Sequence, residues 1–159
     1  MSATTLGPPP DAAPLRTAVV VDTNAALDLW LFQDPRVQGL RLAVEKRQLR
    51  WLACPAMREE LAHVLGRMLD RGLAQARGVE GQSVLQAWDE AVEHPLLPDP
   101  AATAVSRLHC SDPDDQKFLE LALSAGSKYL LTSDSALLKL ARRAAPRGLH
   151  ICRPYGWTP

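Results

Sequence analysis

Short apolar runs alternate with amphipathic segments along most of this chain. The run at residues 18–21 is continuous and β-branched, which is typical of a strand buried on both faces of a parallel sheet. Similar runs predict further strands at residues 49–54, 128–132 and 149–152. Apolar positions at helical spacing predict helices over residues 25–32, 37–47, 57–73, 83–92, 101–109, from 114 onward and over 135–144.

Strands that alternate with helices predict an α/β fold, because parallel strands need crossover connections. We expect a three-layer α/β/α sandwich with a central, mainly parallel sheet of four or five strands. Residues 1–16 are rich in Pro, Ala and Thr without periodicity, and we interpret them as a disordered N-terminal tail. At 159 residues the chain is too short for two ordinary domains, so residues 17–159 are predicted to form one domain.

Composition and charge argue against a membrane protein, a zinc-binding protein and a broadly basic nucleic-acid-binding protein. The chain has neither an apolar run of membrane-spanning length nor a signal-like start, so we predict a cytoplasmic protein without a membrane partner. Three scattered cysteines fit reduced thiols better than a zinc site. The formal net charge is zero, which gives no support to a broadly basic nucleic-acid surface. Candidate phosphate contacts are nevertheless available in Arg41, Arg47, Arg50, Arg58, Arg67, Arg71 and Arg142.

Acidic residues stand where two of the predicted strands end. Asp22 follows the first strand and Asp134 follows the strand at residues 128–132, so both carboxylates are expected at the ligand-binding edge of the sheet. Glu60 and Asp115 each open a helix that can face the same edge. Thr23 and Asn24 are expected to cap the first helix, which leaves Asp22 without a local capping role.

Four carboxylates that converge without neutralising bases repel one another, and a cation relieves that repulsion. Hard oxygen ligands favour Mg²⁺ or Mn²⁺. Such ions activate a bound water and stabilise the oxygens of a phosphodiester during hydrolysis. Each acid taken alone is more often a structural cap or turn residue, so the hypothesis depends on the whole set. Within that set, Glu59 is an alternative to Glu60, and Asp112 or Asp114 is an alternative to Asp115.

Other chemistries find little support in the sequence. The four histidines form no HxxxH pair, and there is no GxSxG elbow, GxxxxGK[ST] loop or GxGxxG motif. An aspartate phosphatase also places an aspartate after a parallel strand, but it would expect DxDxT where this chain has Asp22-Thr23-Asn24.

Three segments in order, VVVDTNAALD, REELAHVL and DPDDQKFLELALSAGSKYLLTSDSALL, resemble those of PIN domains. The resemblance spans roughly residues 17–155, with little signal between 74 and 104, and is closest to the branch that includes toxins of toxin–antitoxin pairs. It implies a PIN-like fold and an endoribonuclease that cuts single-stranded RNA with Mg²⁺ or Mn²⁺. The implied ligands are Asp22, Glu60, Asp115 and Asp134.

Further expectations follow from the same resemblance. Asn24 and Thr132 fall at positions whose polar side chains orient ligands or water, while Asp112 and Asp114 would strengthen the negative field. A toxin would form a homodimer and be covered by an antitoxin protein. The main alternative is a PIN-like module that has lost catalysis and binds RNA or protein.

Overall fold

A five-stranded parallel sheet forms the centre of the molecule in the computed structural model, which describes residues 15–73, 77–96 and 108–159. The strands are β1 Thr17–Val21, β2 Leu49–Leu52, β3 Val92–Glu93, β4 Tyr129–Leu131 and β5 His150–Cys152. The α-helices are α1 Thr23–Trp30, α2 Gln38–Glu45, α3 Pro55–Asp70, α4 Gly81–Ala91, α5 Gln116–Ser124, α6 Ser135–Leu138 and α7 Ala141–Ala144. Short 3₁₀ helices occupy Pro35–Val37, Pro113–Asp115 and Ala145–Arg147. No helix in these ranges is long and apolar enough to cross a membrane.

The order of strands across the sheet is β3-β2-β1-β4-β5, and every neighbouring pair is parallel. Starting from the central strand β1, β2 and β3 are added on one side of the sheet, and β4 and β5 are added on the other side. Because crossovers between parallel strands are right-handed, helices from the two directions cover opposite faces of the sheet. The predicted α/β/α sandwich is confirmed, and the direction of winding switches between β1 and β4.

The core lies on both faces of the central strands, as the continuous apolar runs predict. Val19 and Val20 in β1 are fully buried, as are Leu130 and Leu131 in the neighbouring β4. Burial of such side chains contributes roughly 1.5–3 kcal/mol each, so the two central strands are fixed firmly in place. The residues that follow these strands are held at the sheet edge by the same packing.

Several predicted boundaries are corrected by the structure. β3 was predicted as the end of a helix, because Val92 continues the helical pattern, but it pairs with Trp51 of β2. The helix expected over 135–144 is divided into α6 and α7. α3 begins at Pro55, which places Glu60 in its second turn instead of its first. Most of the helix expected at 101–109 and the tail residues 1–14 lie outside the described residues.

The segment after β5 packs against α1 and the start of α2. Tyr155 donates a hydrogen bond from its hydroxyl to Asp28 Oδ2 at 3.0 Å, and Gly156 N donates to Arg36 O at 2.9 Å. Trp157 lies so close to Gly39 that a Cβ there would come within 1.9 Å of its carbonyl oxygen. Gly39 is therefore required by the close approach of the C-terminal segment.

Candidate functional site

Four carboxylates line one small pocket of about 90 Å³ at the carboxyl edge of the sheet, between β1 and β4. The carboxylates belong to Asp22, Glu60, Asp115 and Asp134, and the other lining residues are Thr23, Asn24, Val64 and Phe118. This is where the winding direction switches, and the loops there diverge to leave a crevice. The four predicted acidic residues are thus brought together, although they are up to 112 positions apart along the chain.

Asp22 is buried directly after β1, and both of its oxygens accept hydrogen bonds. Oδ1 accepts from Ala25 N at 2.8 Å, and Oδ2 accepts from the Thr132 hydroxyl. Burial raises the pKa of Asp22 to about 6, against hydrogen bonds from Thr132 and Ala25 that lower it. The expectation that Thr23 or Asn24 caps α1 is wrong, because Asp22 has the extended backbone and the accepting oxygen of an N-cap.

Asp134 repeats this arrangement at the next strand. It is the N-cap of α6, and its Oδ1 accepts from Ala136 N at 2.7 Å and Leu137 N at 3.3 Å. Thr132 is fully buried between the two aspartates: its hydroxyl donates to Asp22 and accepts from Asp134 N at 3.0 Å. Asp22 and Asp134 therefore each cap a helix and also line the pocket.

Asp115 ends the 3₁₀ helix that precedes α5, so the α-helix begins at Gln116, two residues after the predicted start at 114. Partial burial, together with repulsion from Asp134, Asp112 and Asp22, raises the pKa of Asp115 to about 7. Asp22 and Asp134, which follow different strands, thus both raise the pKa of Asp115. The shift is a direct consequence of their convergence.

The segment before Asp115 is anchored by Gln116. Its Oε1 accepts from Cys110 N at 2.7 Å, and its Nε2 donates to Leu108 O at 3.1 Å. Asp112 caps the 3₁₀ helix by accepting from Asp114 N at 3.0 Å. These contacts fix the direction from which Asp115 enters the pocket.

Glu60 is held by two residues that the sequence did not single out. The Thr23 hydroxyl donates to Glu60 Oε2, and Lys117 Nζ lies 3.3 Å from Glu60 Oε1. Lys117 also donates to the backbone carbonyl of Asp114. The expectation that the acidic cluster lacks a neutralising base is therefore wrong, since a lysine of the DPDDQKF segment reaches the rim.

The alternatives within the set fall outside the pocket lining. Glu59 is exposed on α3, and Asp112 and Asp114 are exposed in the loop before Asp115. Asn24 does line the pocket, with an exposed side chain. Asp112 still acts on the site electrostatically, through the pKa of Asp115.

A larger cavity of about 530 Å³ lies near the amino ends of β1 and β2, beside the stacked rings of Trp30 and Trp51. Two acidic residues line it: Glu93 is ion-paired with Arg16 at 2.7 Å and with Arg50 at 3.2 Å, and Glu90 accepts from Gln86 Nε2 at 2.9 Å. The larger cavity thus has two carboxylates, one of them neutralised by arginines, against four in the smaller pocket, so the chemistry favours the smaller pocket.

The chemistry of the four carboxylates fits a hard divalent cation, because all are oxygen donors and a bound cation relieves the repulsion at Asp115. No group of three or more His, Cys, Asp or Glu side chains in the described part of the chain is placed as a formed metal site. Thr23 and Lys117 hold Glu60, so a cation in the pocket competes with Lys117 for this carboxylate.

The family model for the PIN domain matches residues 18–136. This match covers well over half of the chain and includes every carboxylate that lines the pocket. The chain belongs to the PIN-domain family. No curated protein and no solved structure matches it. PIN domains are generally nucleases and typically use divalent metals, so the chain has a nuclease-type fold.

Thr132 offers a test of how this PIN domain orients its carboxylates. Thr132→Val keeps the side-chain shape but removes the hydroxyl between Asp22 and Asp134 N. We expect nuclease activity and Mn²⁺ affinity to fall by about 10- to 100-fold, as when outer partners of metal ligands are lost. Cleavage assays and calorimetric Mn²⁺ titration measure both. Thr132→Ser keeps the hydroxyl and should retain most of both; equal losses in the two variants would contradict the orienting role.

Proposed function

We propose that this PIN domain is a divalent-metal-dependent endoribonuclease that hydrolyses phosphodiester bonds in single-stranded RNA. The observation that carries the proposal is the convergence of four carboxylates at the β1–β4 switch point of a nuclease-type fold. Asp22, Glu60, Asp115 and Asp134 would hold the cation, which we assign as Mg²⁺ or Mn²⁺. A bound ion of this kind supplies Lewis-acid activation of water and charge stabilisation at the phosphate.

The protein residues have separate parts in this mechanism. Helix caps and Thr132 fix the two strand-end aspartates before any ligand arrives, so little ordering cost remains on binding. The pKa of Asp115 is raised to about 7, so its carboxyl group can exchange a proton near neutral pH. A bound cation would displace that proton. Lys117 holds Glu60 at the rim of the pocket by an ion pair. Its ammonium group also places a positive charge there, which would attract the phosphate of a substrate.

A phosphatase mechanism based on an aspartate nucleophile is less well supported. Both oxygens of Asp22 already accept hydrogen bonds, from Ala25 N and the Thr132 hydroxyl. A carboxylate that must attack phosphorus needs a free oxygen directed at its substrate. The geometry of Asp22 suits an oriented metal ligand better than a nucleophile.

We extend the proposal to the biological role suggested by the resemblance: a cytoplasmic toxin, acting as a homodimer and silenced by an antitoxin protein. What supports it is the kind of contact the pocket already makes. Lys117 shows that an ammonium group can lie against Glu60, and a basic side chain of an antitoxin would find further carboxylates beside it. Asn24, whose side chain is exposed, also lines the pocket and could contact such a side chain.

Neighbouring glutamates on α3 provide the decisive test. Glu60→Gln removes a carboxylate from the pocket, whereas Glu59→Gln removes the same group from an exposed position one residue away. We expect wild-type and Glu59→Gln protein to cut a mixed single-stranded RNA pool with Mn²⁺ or Mg²⁺ but not with a chelator. Glu60→Gln should be at least about tenfold slower and bind Mn²⁺ more weakly by calorimetry.

The outcomes separate the alternatives. RNA binding without cleavage by wild-type protein under every metal condition would favour the silent binding module. Equal activity in the two glutamine variants would contradict the assignment of Glu60. Cleavage that persists in chelator would overturn the metal-dependent mechanism.

A further inference from the structure

The charges of this chain are separated along the sequence, although they sum to zero. All 18 Asp and Glu residues lie at or before Asp134, together with 13 of the 18 Lys and Arg residues. Residues 135–159 contain no acid and five basic residues: Lys139, Arg142, Arg143, Arg147 and Arg153. We name these five the C-terminal basic face. The balanced total therefore conceals a strongly basic final segment.

The structure turns this basic segment outward. Leu137, Leu140 and Ala144 are buried and recur at helical spacing, so they form the inner side of the α6–α7 segment. The basic residues between them, and Arg153 after β5, are all exposed. Within the described ranges, none of the five forms an ion pair, whereas Arg36, Arg50 and Arg58 elsewhere are paired with acids.

The spacing of these cations makes them repel one another. Lys139 follows α6, Arg143 lies in α7 and Arg147 ends the 3₁₀ helix after α7, so cations recur every four residues along this segment, a spacing at which like charges are unfavourable on a helical surface. A flexible polyanion would neutralise the three charges together.

The C-terminal basic face starts at the acidic pocket. The segment that carries it begins directly after Asp134, which lines the pocket. Thr132 N donates to Cys152 O at 2.9 Å, so Arg153 follows a strand that is adjacent to the one ending at the pocket. A nucleic-acid strand that leaves the pocket on this side meets Arg153 and Lys139 first and then the arginines of α7.

We propose that the C-terminal basic face binds the phosphate backbone of the RNA strand beside its cleavage site. This inference rests on the proposed nuclease function and deepens it by naming the surface that holds the substrate. Guanidinium and ammonium groups neutralise phosphates without reading bases, so the face contributes affinity that is independent of sequence. An RNA single strand fits better than a duplex, because it can follow a curved surface between helix and strand.

The test compares two charge-matched triple variants. Arg142→Gln, Arg143→Gln and Arg147→Gln together remove three charges from the basic face. Arg16→Gln, Lys46→Gln and Arg77→Gln remove three exposed charges, none of which lines the acidic pocket. Affinity for a fluorescent 12-nucleotide single-stranded RNA is measured by anisotropy in chelator at several salt concentrations, so no cleavage occurs. Thermal unfolding of each variant checks that it is folded.

We expect the basic-face variant to bind the RNA at least about tenfold more weakly than wild type, with a salt-dependence slope smaller by about 2, as for three lost phosphate contacts on a single strand. The matched control should stay near wild type. Equal weakening of both variants, or tighter binding of a 12-residue polyglutamate than of the RNA, would overturn the proposal; the latter would indicate a surface for an acidic protein. Because binding is measured without cleavage, a failed nuclease assay leaves this result intact.

Discussion

Replacing Asp22 with asparagine is expected to lower the rate of RNA cleavage by at least about 100-fold. Loss of a residue that only orients a metal ligand lowers activity by up to about that factor, and Asp22 is proposed as a ligand itself. Asparagine keeps an oxygen that can accept from Ala25 N, so the cap of α1 is preserved. It removes the negative charge from the centre of the carboxylate set. The measurement is the cleavage rate of single-stranded RNA with Mn²⁺, together with calorimetric Mn²⁺ affinity.

The same substitution should leave the metal-free protein folded and more stable at pH 8. Burial raises the pKa of Asp22 to about 6 from 3.8, so the ionised carboxylate is disfavoured in the folded state. At about 1.4 kcal/mol per pKa unit, its removal gains at most about 3 kcal/mol. Asp34→Asn is the matched control, since Asp34 also caps a helix by accepting from Arg36 N, away from the pocket. Wild-type cleavage by the Asp22→Asn protein would refute the site.

The metal-free wild-type protein is expected to lose stability as the pH rises from 5 to 8. Asp22 and Asp115 have folded-state pKa values of about 6 and about 7, above their ordinary value of 3.8. The folded state therefore binds their protons more tightly than the unfolded state, and this stability is complete only below about pH 4. It is lost as the pH passes through 6 and 7, with up to about 3 kcal/mol from buried Asp22 and a smaller, solvent-screened part from Asp115.

Chemical denaturation in chelator at pH 5, 6, 7 and 8 measures this loss. Asp22→Asn and Asp115→Asn should each flatten the pH dependence, while Asp70→Asn, an exposed change outside the pocket, should preserve it. Added Mn²⁺ should stabilise the protein more at pH 8 than at pH 5, because protons compete with the cation for the same carboxylates. An unchanged slope in both pocket variants would show that these two aspartates do not carry the effect.

The parts of the site that could be predicted from the sequence are those fixed by local pattern. Asp22 and Asp134 each follow an apolar strand, and parallel strands end at the same edge of a sheet. The pattern of apolar runs along the sequence is therefore enough to predict that the two aspartates lie close together. Of the two adjacent glutamates that the sequence offers, Glu60 lines the pocket and Glu59 does not. The two-residue strand β3 was missed, because so short a strand is defined by its partner β2 and not by its own sequence.

Long-range side-chain pairs could not be predicted in this way. Thr23 and Glu60 are 37 positions apart, and Lys117 and Glu60 are 57 apart, so no local periodicity joins them. Asp22 was expected to be free of capping because Thr23 and Asn24 can also cap, yet the backbone turns one residue earlier. The basic final segment did have a sequence signal, the absence of any acid after Asp134, which the zero net charge of the whole chain hides.

The close contact of the C-terminal segment with α2 makes the folding unit longer than the family motif. The PIN-domain match ends at residue 136, but β5 covers the outer edge of β4, and Trp157 is buried against Gly39. A fragment cut at the motif boundary would leave β4 as an open edge, a template for pairing with other chains. Residues 137–159 thus cover the edge of the sheet beside the acidic pocket.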